Sequence, residues 1–358
     1  MRILVKLGTR LLTKPEGGLD SVRIDRLAGE VVSLLEEGHE FLIVSSGAVE
    51  AGRQGLGICP GTMDIRHKQA AASIGQTDLM NAWRQGFASR GRMAGQILVS
   101  SSDFALRSSY LNIRNTLNTL LERGVIPVIN ENDTVAVEEL KFGDNDRIAA
   151  IVTVKVDADK LILLTDVEGL RSSSGELVKE VNEITPEVES WACGKGSECS
   201  SGGMGSKIQA ARMVSRLCGI DTYVAQGSAE GVISEIIKGS NPGTVFHGGK
   251  SVLPHRKRWI AGMTPAGSLT LDAGAVRAVL EKNSSVLAVG ITGVGGDFTE
   301  GDPVSCLGPG GEAVALGLAN FSAEDIRKIA GCNSSSIKDM TGGCLNEEVI
   351  NRDNLVIV

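Results

Sequence analysis

The sequence predicts an α/β protein with a mostly parallel central sheet covered by helices on both faces, followed by a small β-rich second domain. Three observations lead there. Short runs rich in Val, Ile and Leu alternate with segments of helical spacing through the first two-thirds of the chain. Polar clusters follow those runs where strands end. After about residue 250 the alternation gives way to Gly-rich turns between short strand-like pieces. Strands separated by helices call for parallel pairing, because a parallel crossover needs a dozen or more residues.

Residues 3–7 and 41–45 are short apolar runs and read as buried strands. Between them Val22, Leu27, Val31, Leu34 and Leu35 recur as one helical face that Gly38 ends, which makes a βαβ unit. Further strands are expected at 96–100, 125–129, 161–164 and 222–225, and helices at 64–90, 108–123, 145–156 and 203–218. In the second part the strand-like pieces are 268–271, 286–291, 304–307 and 313–316, with helices at 273–280 and 323–329. Residues 254–258 are the candidate linker, and there is no internal repeat.

With 358 residues, two domains are the natural expectation. The composition, 42% apolar and 22% charged, is that of an ordinary globular enzyme. Only 3% of residues are aromatic, so aliphatic sheet cores are expected in place of base-stacking platforms. A net charge of -7 argues against a general grip on phosphodiester backbones, and the one dense basic run, His255-Arg256-Lys257-Arg258, reads as a solvated linker. The seven cysteines are scattered and odd in number, which suits reduced thiols in a cytoplasm. Cys193 and Cys199, the one close pair, have no histidine nearby to complete a metal site. The chain enters a strand directly after Met1 and has no apolar run of spanning length, so neither secretion nor membrane insertion is expected.

The chemistry-bearing residues gather at the predicted strand ends, where open α/β sheets bind ligands. Asn130-Glu131-Asn132-Asp133 and Gly143-Asp144-Asn145-Asp146 flank one connection. Lys6 interrupts an apolar strand, a costly position unless the ammonium is paired or reaches a ligand; the other reading is a lysine facing water at a sheet edge. Gly8 and Thr9 follow it and are expected to offer backbone and hydroxyl donors with little steric hindrance. Lys207 comes after the glycine loop Ser201-Gly202-Gly203-Met204-Gly205-Ser206 at the start of a helix, an arrangement that receives phosphates but is also common punctuation. Ser46 before Gly47-Ala48, Thr165-Asp166 and Asp144 each read equally as anion contacts or as ordinary turns and helix caps. Residues 243–251 only imitate a phosphate-binding P-loop, since Thr244 stands where its first glycine is required.

The joint order of Val5-Lys6-Leu7-Gly8-Thr9, Ser46-Gly47-Ala48, the two Asn/Asp clusters, Thr165-Asp166 with Gly169-Leu170, and Gly202-Gly203-Met204 with Lys207 resembles the glutamate 5-kinase family of the amino acid kinase superfamily along essentially the whole chain. The resemblance implies a three-layer amino acid kinase fold over 1–250 and a small β-rich PUA-like barrel over 255–358. It implies transfer of the ATP γ-phosphoryl group to the side-chain carboxylate of L-glutamate, the first step of proline biosynthesis.

Carried over residue by residue, Lys6, Lys207 and Asp146 are catalytic, and Ser46, Asn130, Asp133, Asp144 and Asn145 bind the substrate. Lys6, Gly8, Thr9, Thr165, Asp166 and the loop Ser201, Gly202, Gly203, Met204, Gly205, Ser206 and Lys207 bind ATP. No residue is assigned as a direct metal ligand; Mg²⁺ arrives with ATP and reaches Asp146 through water. Proline as feedback inhibitor and a cytoplasmic homo-oligomer are implied too.

Arg10 and Arg171 depart from the family pattern, as do Ser201 and Ser206 where threonines are usual. Within the class, N-acetylglutamate, aspartate, carbamate and UMP are the alternative acceptors, because a fold does not fix its substrate. The PUA-like tail raises RNA binding as the alternative from another class. From Pro254 onward 9 Lys/Arg face 12 Asp/Glu, so RNA is not the expected partner.

Overall fold

The computed structural model describes residues 1–58, 63–104, 107–135, 145–192, 203–249, 257, 260–261, 263, 265–332 and 348–357. The chain divides into two compact units, Met1–Val252 and Leu253–Val358.

The first unit runs β1 (Arg2–Leu7), α1 (Thr9–Leu12), α2 (Ser21–Glu36), β2 (Glu40–Ser45), α3 (Ala48–Gly55), α4 (Ile65–Ala88), β3 (Met93–Val99), α5 (Arg107–Glu122) and β4 (Val125–Glu131). It continues α6 (Asn145–Lys155), β5 (Lys160–Thr165), β6 (Glu180–Val181), α7 (Pro186–Ala192), α8 (Met204–Cys218), β7 (Thr222–Gln226), α9 (Val232–Ile237) and β8 (Thr244–Phe246). The eight strands pair in the order β3-β4-β2-β1-β5-β7-β8-β6, and every pair is parallel except β7 with β8. The two-residue β6 and three-residue β8 were not expected from the sequence, being too short to show a period.

Lys6 therefore lies in a central strand, in register with Val44 on one side and Leu163 on the other; the reading of a lysine at a sheet edge is excluded. Strand alternation decides its direction. Ile3, Val5 and Leu7 join one core with Ile24, Leu27 and Val31 of α2 and Leu79 and Trp83 of α4. Leu4 and Lys6 take the opposite face, where α6 and α8 lie. Connections leave β1 toward β2 and β5 toward β7, so the winding reverses between β1 and β5 and a crevice opens beyond their carboxyl ends.

Helix α2 starts where Asp20 accepts the Arg23 backbone N–H at 3.1 Å. Its buried stripe is Ile24, Leu27, Ala28, Val31, Val32 and Leu34, while Val22 is exposed. Val22 does not belong to the expected face, because it is displaced by about 160° around the helix from Ile24. Helices α3 and α4 cross with almost no space: a Cβ added at Gly52 would overlap the Ala71 carbonyl, and one at Gly75 would overlap the Ala48 carbonyl.

In the second unit β9 (Gly267–Leu271), α10 (Ala273–Lys282), β10 (Val286–Leu287), β11 (Ile291–Gly296), β12 (Pro303–Leu307), β13 (Ala313–Leu318), α11 (Ala323–Ile329), β14 (Glu348–Ile350) and β15 (Leu355–Ile357) follow in order. They form a five-stranded sheet, β11-β9-β12-β13-β15, and a β10-β14 pair around a core that includes Leu269, Ile291, Phe298, Val304, Ile326 and Val349. The single strand expected at 286–291 is instead β10, a 3-10 turn over Ala288–Gly290, and the start of β11. The apolar run is continuous because the chain passes from one sheet to the other, and both partners demand burial.

The glycine crossing gives a direct test. Gly75→Ala is expected to destabilise the first unit by ~2–3 kcal/mol in urea unfolding, because carbonyl backbone must move to admit the methyl group. Gly55→Ala, in the same α3 but with only ordinary contact to Ile74, is expected to stay within ~1 kcal/mol.

Candidate active site

Asp146 is the second residue of α6 and has 0% exposure, yet it meets two cations. Lys6 Nζ lies 2.7 Å from Oδ1 and Lys207 Nζ 3.0 Å from Oδ2, and the Ser206 hydroxyl donates to Oδ2 at 2.7 Å. Lys6 and Lys207 are themselves only 4% and 5% exposed. Burial alone pushes the Asp146 carboxyl up; the two ammonium groups and the Ser206 hydroxyl outweigh it and hold the group below the usual carboxylate range. Two cations on one anion leave the triad with a formal charge of +1, enclosed at the edge of the β1/β5 crevice.

The glycine loop explains how Lys207 arrives there. Gly203 has φ +106°, a conformation that side chains disfavour, and it immediately precedes α8. Lys207 Nζ also donates to the Gly203 carbonyl at 3.2 Å, so the lysine folds back over its own first turn. Met204, Gly205 and Ser206 are half-buried in that turn. The N-termini of α6 and α8 both open toward the triad and add a favourable potential for anions.

A second cluster is made of amides. Asn145 Nδ2 donates to Ser46 Oγ at 2.8 Å and to Asn130 Oδ1 at 2.9 Å, joining the starts of α6 and α3 to the end of β4. Ser46 is not spent as a cap: α3 is preceded by Gly47 at φ +107° with no side-chain capping bond. Its neighbour Ser45 has a structural role, accepting the Trp83 indole N–H at 2.9 Å. The Oδ1 of Asn145 is buried without a hydrogen-bond partner among the described residues. Asp133, half-buried beyond β4, is pushed up to about 6 by burial. Gln76 of α4, which sequence reasoning did not single out, accepts from Asn130 Nδ2 at 2.8 Å. A glutamine inside a long amphipathic helix carries no local signal of such a role.

On the other side of the crevice, Thr165 ends β5 and donates to Asp166 at 3.1 Å. The Gly8 N–H is taken by Leu164 O at 3.1 Å, so Gly8 offers space and no free amide, contrary to the donor role expected of it; its sheet bond has claimed the proton. Thr9 is exposed at the start of α1. Arg10 reaches across to Asp166 at 3.2 Å, and Arg171 pairs with Glu168 at 2.7 Å. Asp144, Ser201 and Gly202 lie outside the described residues. Among the described residues no group of His, Cys, Asp and Glu is disposed to hold a metal ion, and no helix is long and apolar enough to cross a membrane.

Comparison with known proteins gives a consistent result. The model of the amino acid kinase family matches residues 1–226 and that of the PUA domain residues 267–341. The chain is 44% identical to a glutamate 5-kinase of Trichlorobacter lovleyi, covering 100% of this chain and 96% of that one. It is 43% identical to a glutamate 5-kinase of Syntrophus aciditrophicus, covering 100% and 94%. Among solved structures, carbamate kinase from Giardia matches 69% of this chain and 98% of its own, with TM-score 0.50 and 15% identity, a likeness of fold.

The triad predicts its own titration and mutational response. The Asp146 pKa is lowered on folding, so its contribution to stability is present above the unfolded carboxyl pKa and is lost as pH falls below about 4. Asp146→Asn, which leaves two buried ammonium groups facing each other, is expected to cost ~3–5 kcal/mol in unfolding of the unliganded protein at pH 7. Lys6→Met is expected to cost less, since Asp146 keeps Lys207.

Proposed function

The chain belongs to the amino acid kinase family and matches glutamate 5-kinases over its whole length, and on that premise we propose that it transfers the γ-phosphoryl group of ATP to the side-chain carboxylate of L-glutamate. The product is L-glutamyl 5-phosphate, which enters proline biosynthesis. The observation in the fold that best supports the reading is the buried Lys6–Asp146–Lys207 triad at the sheet's switch point.

The chemistry asks little of acids and bases. A carboxylate is ionised at pH 7 and attacks phosphorus without giving up a proton. The new P–O bond forms as the bond from the γ-phosphorus to the β–γ bridging oxygen breaks, and ADP leaves with that electron pair. What remains is alignment and charge neutralisation. In the proposed mechanism Asp146 holds both lysines in place before the nucleotide arrives, and the phosphates then draw on the same ammonium groups. Mg²⁺ enters as part of the nucleotide substrate. When bound, the ion would add positive charge at the transferring phosphoryl group, and Asp146, its oxygens engaged by two ammonium groups and a hydroxyl, would reach it through water. Thr9, Thr165, Asp166 and the Gly203–Lys207 turn form the nucleotide side. Ser46, Asn130, Asp133 and Asn145 form the glutamate side, where the Asp133 carboxylate and the Asn145 Oδ1 suit an ammonium group.

Family membership also supports proline as an end-product inhibitor and a homo-oligomeric assembly. The acidic second unit supports a role other than a general RNA grip.

ADP release measured with glutamate, N-acetylglutamate, aspartate, carbamate and UMP tests the acceptor, with glutamate expected to dominate; turnover confined to another acceptor overturns the reading. Lys6→Met and Lys207→Met are each expected to lower kcat by at least ~100-fold. Near-normal turnover in either removes that lysine from the mechanism.

Asp133 supplies a pH test. Its folded pKa is raised to about 6, so burying the ionised form costs the free enzyme stability as pH rises through that value, and an incoming ammonium relieves the cost. Protonation has the reverse effect on binding: KM for glutamate is expected to rise roughly tenfold per pH unit below about 6, while Asp133→Asn gives a high KM with little pH dependence.

The second unit is proposed to be separable from the chemistry, since all the site residues precede it. A chain ended at Val252 is expected to fold and phosphorylate glutamate; an inactive chain, reproduced with neighbouring end points, shows that the second unit completes the kinase.

A further inference from the structure

The polarity of the amide cluster follows from one backbone proton. The Glu131 N–H can only donate, and it lies 2.9 Å from a side-chain atom of Asn130 that must therefore be Oδ1. The other Asn130 atom is then Nδ2, which donates to Gln76 Oε1 at 2.8 Å. The Asn145 atom 2.9 Å from Asn130 Oδ1 has to be a donor, so it is Nδ2, and it also reaches Ser46 Oγ at 2.8 Å. By elimination the remaining Asn145 atom is Oδ1, an acceptor, buried and without a partner among the described residues. Such an atom is costly unless a ligand donor meets it.

We infer that Gln76 is a positioning residue that, by accepting from Asn130 Nδ2, holds the orientation selected by the Glu131 N–H and so supports the enzyme's preference for an acceptor bearing an amino group. If Asn130 turned its amide over, its Nδ2 would face the Glu131 N–H, two donors in contact, and Gln76 would have to turn its own amide as well to meet Asn130 Oδ1. Gln76 adds a second restraint on that turn from the α4 side. It follows Gly75, whose contact with α3 fixes the height of α4 against the loop carrying Ser46. One glycine crossing thus places both ends of the relay, Gln76 and Ser46. The amino group of glutamate can donate to Asn145 Oδ1; the same dicarboxylate without it, glutarate, leaves that oxygen unsatisfied. Sites that hydrogen-bond a substrate group discriminate strongly against analogues lacking it.

The inference rests on glutamate as the acceptor, and the experiment separates the two. ADP release by the unmutated full chain with glutamate tests the acceptor; its absence overturns that reading and this inference together. With activity present, Gln76→Met, which keeps shape but removes the acceptor, is expected to raise KM for glutamate about tenfold while kcat and KM for ATP stay within about threefold. The preference for glutamate over glutarate in kcat/KM is expected to fall by a similar factor. Gln76→Glu, which still accepts from Asn130, restores KM to within about threefold of the parent. In an Asn145→Ala background Gln76→Met adds nothing further, because the atom it positions is gone. Unchanged KM for glutamate in Gln76→Met, equal rises for both substrates, or additive effects in the double variant overturn the assignment. A loss of folding would appear as a fall in thermal stability with both substrates affected together, and that counts against a positioning role.

Discussion

Asp146 has no exposed surface and is held between two nearly buried lysines, and the architecture of the first unit converges on keeping it there. Each ion alone would be expensive in that environment; together they are tolerable because every charge has an opposite within hydrogen-bond reach. The three residues come from β1, α6 and α8, so the parallel sheet and its covering helices must all be placed before the charges can meet. The net positive charge that remains is what an anionic polyphosphate requires. A pair with equal charges would have been electrically finished without a ligand.

The same helix start serves two clusters through adjacent residues. Asn145 and Asp146 differ by about 100° around α6, which turns one toward Ser46 and Asn130 and the other toward Lys6 and Lys207. The amide cluster and the lysine triad, the proposed acceptor and nucleotide sides, are therefore separated by a single residue step on a rigid element. The glycine contact between α3 and α4 extends that rigidity to the amide cluster, because backbone packed on backbone leaves no side chain to repack.

Much of the unit was legible in the sequence for local reasons. Strands such as 3–7 and 41–45 are continuous apolar runs, and the helix after Asp20 has a cap and an apolar stripe, signals contained within a dozen residues. The motif order pointed to the family and to Lys6, Asp146 and Lys207. Val22 is exposed although apolar, because apolar character does not reveal which side of a helix faces the sheet. The 286–291 run divides between two sheets, which its sequence does not reveal, because a continuous apolar segment looks the same whether it stays in one sheet or changes sheets.

The sequence by itself determined which residues are available: a lysine inside a strand, a glycine loop before a helix, two Asn/Asp clusters around one connection. Only the tertiary structure decided how they are used. It showed that Ser46 is not a cap, since Gly47 takes that place, and that the Gly8 N–H is consumed by Leu164. It brought Gln76 against Asn130, 54 residues later, where a single backbone N–H orders a chain of amides. The reason is physical: hydrogen-bond direction depends on which donor faces which acceptor across elements distant in sequence, and no periodicity or motif records that pairing.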